Sequence, residues 1–200
     1  MTQNVIDAVR IPRAGQDHHV LLVGEANPYG ADPRYALYNE PEHSAGGRLQ
    51  RKIAGLSQRD YLSLWRTNLC IDGWGLVKAR RRADQLLVGP FGADAPQWRP
   101  WDVVVLLGRK VAGAFEDVAG AVCDGKPRID LPPWHQRTVL VHGLPIVLAA
   151  IPHPSGLNRD WNDRDAFHRA RRLLEWVAPD VPWGSLHGEH HPKHDREVVA

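Results

Sequence analysis

Cysteine is almost absent: the 200 residues contain two, Cys70 and Cys123, and neither belongs to a Cys-x-x-Cys pair. Two cysteines cannot build a disulfide framework, and an all-cysteine zinc or iron–sulfur site within the chain is excluded. No cofactor is expected. Long apolar runs are missing too. No stretch approaches the roughly 18 residues of a membrane helix, and Met1-Thr2-Gln3-Asn4 lacks a signal-peptide layout. The expectation is a soluble cytoplasmic protein with no membrane partner. A charge excess is lacking as well, since the net charge is +2 and the whole chain is no polycation. Charge is nevertheless clumped, in Lys78-Ala79-Arg80-Arg81-Arg82 and in Arg164, Arg169, Arg171 and Arg172. Such runs are by default solvated helix faces, and a phosphate-binding surface needs independent support.

What is present suffices for one domain: the length fits a single unit, and the 43% apolar residues can bury a sizeable core. Residues 1–18 read as an irregular lead-in broken by Pro12 and Gly15. His19-Val20-Leu21-Leu22-Val23 reads as a strand buried on both faces. A Gly/Pro/Asn/Tyr-rich loop over 24–43 follows, and a loop this long inside a compact domain tends to be functional. It carries Tyr29, Tyr35 and Tyr38, so it is the first place to look for a site. Leu49, Ile53 and Leu56 have helical spacing. Ser57-Gln58-Arg59-Asp60 resembles a capping box opening a second helix, which Leu62, Leu64 and Trp65 continue.

Residues 66–71 are a candidate second strand, 79–88 a helix, Asp102 to Gly108 the clearest strand, and Arg109 to Phe115 the helix behind it. Pro145 to Ile151 is another buried strand, halted by Pro152 and Pro154. A last helix starts near Asn162-Asp163 and buries Phe167, Ala170, Leu173, Leu174 and Val177. The domain is thus predicted over 1–177, with a polar, His-rich tail over 178–200. Alternating strands and helices predict an α/β fold, a three-layer α/β/α sandwich around a short, mainly parallel sheet. Ligands bind such sheets at the carboxyl ends of strands. The loops 24–43, 66–78 and 152–162 all follow strands and should converge there.

Three segments, in order, resemble the uracil-DNA glycosylase superfamily and with the strand between them span most of 19–177. Gly24-Glu25-Ala26-Asn27-Pro28-Tyr29-Gly30 is similar to its water-activating loop, and Thr67-Asn68-Leu69-Cys70 to the asparagine-bearing strand end that reads the base. His153-Pro154-Ser155-Gly156-Leu157-Asn158-Arg159 is close to its leaving-group loop. Val104 to Ala112 resembles the family's strand-Gly-helix segment. The Asn27-Pro28 pair matches the style of the mismatch-specific and single-strand-selective branches. The chain departs from them by one extra residue between Gly24 and Asn27. The iron–sulfur branches need more cysteines than this chain has.

The resemblance implies a metal-independent, monofunctional DNA glycosylase that flips out a uracil-like or damaged base and hydrolyses its N-glycosidic bond in DNA repair. Asn68 offers a donor and an acceptor to the base's Watson–Crick edge, although by residue type alone a turn or cap asparagine is an equal reading. Tyr29 stacks on the base or walls the pocket, or simply packs as a half-buried aromatic. His153 donates to the leaving base oxygen. Ser155 and the N–H groups of Gly156 and Leu157 grip a phosphate, while Leu157, Asn158 and Arg159 wedge into the gap left by the flipped nucleotide. Either Asn27 or Glu25 positions the water, because a carboxylate in an apolar pocket can act as a base. Gly24 and Pro28 of the first motif also count as substrate-binding residues.

Two other classes stay open: a non-catalytic nucleic-acid or nucleotide binding module with the same fold, and a glycosylase for a modified base or nucleoside. The tail histidines His187, His190, His191 and His194 are irregularly spaced with no carboxylate cage, so no metal site is expected. Trp134-His135 is read as a packed, Pro-flanked loop, and the eight tryptophans as core and loop anchors rather than a stacking series for single strands. A monomer suits an enzyme that scans a polymer.

Overall fold

The computed structural model describes residues 19–26, 32–71, 73–88, 100–120 and 128–187. Its centre is a five-stranded sheet in the order β2-β1-β3-β5-β4, built from β1 (Val20–Ala26), β2 (Trp65–Cys70), β3 (Val103–Leu107), β4 (His135–Val141) and β5 (Leu144–Ile151). Strands β2, β1, β3 and β5 are mutually parallel, and β4 runs antiparallel to β5. The chain is an α/β protein. Its apolar strand runs serve two cores at once. Leu21, Val23, Val104 and Leu106 face one, and Val20, Leu22, Val103, Val105 and Leu107 face the other, so neighbouring side chains point to opposite sides of the sheet.

Helices α3 (Leu76–Val88) and α4 (Arg109–Ala119) bury Ala79, Ala83, Leu86, Leu87, Val111, Ala114 and Phe115 in the first core. The second core takes α5 (Ala166–Val177) through Ala166, Ala170 and Leu174. Phe167, Leu173 and Val177, predicted buried, are only partly so. Helix α5 also starts later than the sequence suggests. Asp163 Oδ1 accepts the Asp165 N–H at 2.9 Å, a local turn that competes with the helix, and a separate 3-10 turn occupies Arg159–Asn162.

The capping box forms as predicted: Ser57 Oγ accepts the Asp60 N–H at 3.1 Å and donates to Asp60 Oδ2 at 2.6 Å. It opens α2 (Gln58–Ser63), which stops short of Trp65 because Leu64 is extended. The preceding helical spacing hides a junction. A single turn α1 (Ala45–Arg48) runs into a π-helical segment, Leu49–Ala54, ended by Gly55 in the left-handed region (φ 62°). Buried Gln50 ties this segment to its surroundings. It accepts from Asn39 Nδ2 (2.9 Å) and donates to the Leu56 carbonyl (3.1 Å), while the Leu56 N–H bonds the Gln50 carbonyl (2.9 Å).

Two expectations need correction. Residues from His135 are not loop but the edge strand β4. Its burial is weak, with only Val139 and Val141 buried, and it turns into β5 through His142 and Gly143, both at positive φ (52° and 79°) as a tight hairpin requires. Trp134 does pack, edge-on to Trp161 at 5.3 Å. The domain also does not end at 177. Val181 and Trp183 are buried, the Gly184 N–H donates to the Ala54 carbonyl (2.9 Å) and the Leu186 N–H to Gly55 (2.8 Å). His187 Nε2 lies 2.8 Å from the Arg51 carbonyl. Residues 178–187 therefore dock on the π-helical segment, and His190, His191 and His194 lie outside the described residues. Among the described residues no helix is long and apolar enough to cross a membrane.

We predict that Trp183→Ala lowers unfolding free energy by about 3–5 kcal/mol in denaturant titration. A loss below about 0.5 kcal/mol, the scale of a surface change, would mean that the segment is not part of the core.

Candidate functional site

The carboxyl ends of the parallel strands share one edge, and three of them place a polar side chain in a common cavity of about 340 Å³. Glu25 closes β1, Asn68 comes from the end of β2, and His153 follows β5. Tyr35, Leu37 and Tyr38 form a wall from the loop after β1, and Ser44 to Gly46 at the start of α1 complete the lining. The tyrosine rings meet edge to face at 5.5 Å. Leu37 holds φ 48°, an unfavourable conformation for a branched side chain. The Tyr61 hydroxyl secures it by donating to the Leu37 carbonyl at 2.7 Å.

Gly24 pairs with Asn68 across β1 and β2. A Cβ on Gly24 would fall 2.1 Å from Asn68 Oδ1 and 2.8 Å from Leu37 Cδ2, so glycine here makes room for the carboxamide. That same Oδ1 is sealed from solvent and has no hydrogen-bond partner. A buried acceptor left unpaired costs about 1–3 kcal/mol, so the fold gains nothing from this orientation by itself. Asn68 is no turn or cap asparagine.

His153 is held from several sides. Its carbonyl accepts from Trp161 Nε1 (2.8 Å) and Asn158 Nδ2 (3.2 Å), and its Nδ1 accepts the Ser155 N–H at 3.2 Å. A backbone N–H can only donate, so Nδ1 carries no proton and the neutral ring carries it on Nε2. Burial pushes the imidazole pKa below the ordinary histidine value, Glu25 opposes the shift, and Lys110 adds to it. Gly108 (φ 100°) lets α4 start against this ring: a Cβ there would come within 2.9 Å of His153 Cβ. At the second residue of α4, Lys110 Nζ pairs with Glu25 Oε1 at 2.6 Å and sits 5.6 Å from the Trp74 ring centre. The pair fixes Glu25 at the pocket mouth.

Beside the cavity, Leu157 is 94% exposed, and Gly156 and Arg159 are exposed with it. Asn158 departs from its expected role as a wedge. Its amide nitrogen holds the His153 carbonyl, and its oxygen accepts the Asp160 N–H at 3.0 Å, so it fixes the loop. Asn27, Pro28 and Tyr29 lie outside the described residues. The structure adds Tyr35, Tyr38, Lys110 and Arg48 to the site. Arg48 Nε donates to the Pro154 carbonyl at 2.9 Å, and its guanidinium would lie 3.7 Å from a Cβ on Gly156. Only the tyrosines had a signal, their density in a long loop. The basic clusters are partly tied into the fold, Arg80 to Asp117 (2.5 Å) and Arg169 to Asp163 (2.7 Å), and Arg171 is buried. Arg81, Arg164 and Arg172 stay exposed.

No protein-family model matches the chain, and no curated protein matches it.

Gly24→Ala is predicted to destabilise the fold by about 1–3 kcal/mol through overpacking and to displace the Asn68 carboxamide in a crystal structure of the variant. Unchanged stability with the amide in place would show that the glycine is dispensable.

Proposed function

We propose that this chain hydrolyses N-glycosidic bonds, with the released base held in the cavity at the strand ends. Within that class we read it as a monofunctional DNA glycosylase of the uracil-DNA glycosylase type, acting on a uracil-like or damaged base flipped out of DNA. The observation that carries the reading is the convergence of Glu25, Asn68 and His153 on one cavity, with the Asn68 acceptor buried and unpaired. The volume falls in the range of small-ligand sites, about 300–1,000 Å³.

Each group then has a task. The Tyr35 and Tyr38 rings stack against the base or limit its size. The Asn68 carboxamide, once turned from Gly24 towards the cavity, offers an acceptor to an imide N–H and a donor to a neighbouring base oxygen. As the bond from C1′ to the base nitrogen breaks, electrons pass to the base, and the Nε2–H of neutral His153 donates to the oxygen that gains charge. Glu25, held in place by Lys110, orients the water that adds to C1′. Arg48 and the Gly156 and Leu157 N–H groups grip a flanking phosphate, and exposed Leu157 fills the vacated stack.

The Glu25–Lys110 pair also supports a second reading. Lys110 Nζ occupies Glu25 Oε1 at 2.6 Å and so leaves the carboxylate fewer lone pairs for a water, which favours a module that binds a flipped base without cutting.

An alkali strand-cleavage assay separates these readings. Oligonucleotides carrying uracil, hypoxanthine, xanthine or modified pyrimidines, single- and double-stranded, should yield abasic sites with at least one base. Removing a preorganised donor costs about 10²–10³ in rate, and His153→Ala and Asn68→Ala should each lose at least that much. Salt-sensitive binding with no base release selects the binding module, and full activity in both variants overturns the site. The pH profile gives a further check. His153 acts as the neutral ring, so activity should hold through neutral pH and fall only below its lowered pKa. The acid limb of kcat/KM should therefore have its midpoint under about 6.5; a midpoint above that value contradicts the assignment.

A further inference from the structure

Arg66 stands two residues before Asn68 on β2, on the same face of the sheet, and the chemistry above does not use it. Its residue is 3% exposed. Nε and Nη1 are sealed from solvent, and neither has a hydrogen-bond partner. Its guanidinium carbon lies 5.5 Å from the Tyr61 ring centre. Among the described residues the titratable groups that act on it are Tyr61 on α2 and Tyr38 in the loop after β1; no carboxylate does. Burial drives the Tyr61 hydroxyl further from ionising. Burial also lowers the pKa of Arg66, yet a guanidinium starts so high that it keeps its proton.

Among the described residues, a permanent positive charge is thus held inside the protein with no carboxylate acting on it. This arrangement is among the costliest in protein interiors, and an apolar side chain of the same volume commonly serves the fold better. Its position gives the charge a use. Leu22 and Gly24 of β1 pair with Arg66 and Asn68 in turn, so the charge lies one step behind the base-reading amide. Tyr38, which feels that charge, lines the cavity. A charge inside the protein is screened less than one in water.

We propose that Arg66 is the buried counter-charge of the cavity, which makes the site select bases that carry or develop negative charge, namely imides of the uracil and xanthine type, over bases that leave as poor anions. The proposal rests on reading the cavity as a base pocket. Arg66 contacts no substrate in this scheme and is a positioning residue, acting through its field and through Tyr38.

The test compares free uracil, neutral at neutral pH, with 5-nitrouracil, which is ionised there, by calorimetric titration of the full chain as wild type, Arg66→Met and Arg66→Lys. Wild type should bind the ionised base tighter by about tenfold or more, the scale of one weakly screened charge. Arg66→Met should bring the ratio of the two affinities close to one, and Arg66→Lys should restore most of it. Thermal unfolding completes the test: Arg66→Met should melt at or above wild type, because an uncompensated charge has left the interior. An unchanged affinity ratio in Arg66→Met, or a lower melting temperature with both affinities reduced in parallel, would overturn the proposal and leave Arg66 a structural strut while the base pocket stands. Wild type that binds neither base would overturn the base-pocket reading and this inference with it.

Discussion

Between the α-carbon of Gly24 and the carboxamide of Asn68 there is room for a hydrogen atom and nothing larger. The rest of the site depends on that approach. It exists because β1 and β2 are parallel and in register, Gly24 opposite Asn68, so two strand ends arrive at one edge with their side chains on the same face. Leu37 fills the space beside the glycine at the expense of a left-handed backbone, and the Tyr61 hydroxyl holds its carbonyl there. From Leu37 the chain presents Tyr38 to the cavity and sends Asn39 down to Gln50 of the π-helical segment. On that segment dock residues 178–187. The pocket wall, the irregular helix and the C-terminal extension of the core are one connected structure.

The electrostatic design is a polar rim on an apolar sheet. Glu25 is tied to Lys110, His153 is kept neutral by burial and oriented by its own loop, and Asn68 and Arg66 keep polar atoms unpaired inside the protein. Folding alone rewards none of these last arrangements, since each leaves desolvation uncompensated. Asn68 and Arg66 stand two residues apart on β2 and so on one face of the sheet. The fold carries that cost on two cores that are otherwise closely filled with aliphatic side chains from both faces of the sheet.

Much of this was legible in the sequence, and what was not has physical reasons. The strands β1, β3 and β5 are continuous apolar runs because they are buried on both faces, and such runs declare themselves. The Ser57–Asp60 capping box is a local motif with a local cause, and it forms. His153 and Asn68 were placed by motif and strand end, and the structure brings them together with Glu25. Strand β4 was missed because an edge strand with two buried valines has no strong period, and because His142-Gly143 is a rarer form of the hairpin turn than Asn-Gly. Docking of Val181 and Trp183 was masked by the polar residues around them. Asn158 looked like a wedge, but whether a loop amide faces outward or bonds its own backbone depends on a fold that brings Trp161 and His153 together. Arg66 gave no signal, since an arginine in a strand is usually exposed.

The central claim is that the unpaired amide of Asn68 is where a base is read, and side-chain amide NMR tests it most directly. With ¹⁵N-labelled protein, the Asn68 NH₂ resonances, assigned by their loss in Asn68→Asp, would be followed as free uracil, xanthine or hypoxanthine is added. The account predicts saturable shifts of those resonances and of the Gly24 amide with at least one base, smaller in Tyr38→Ala. Shifts confined to other parts of the chain, with Asn68 and Gly24 unmoved by every base, would contradict it.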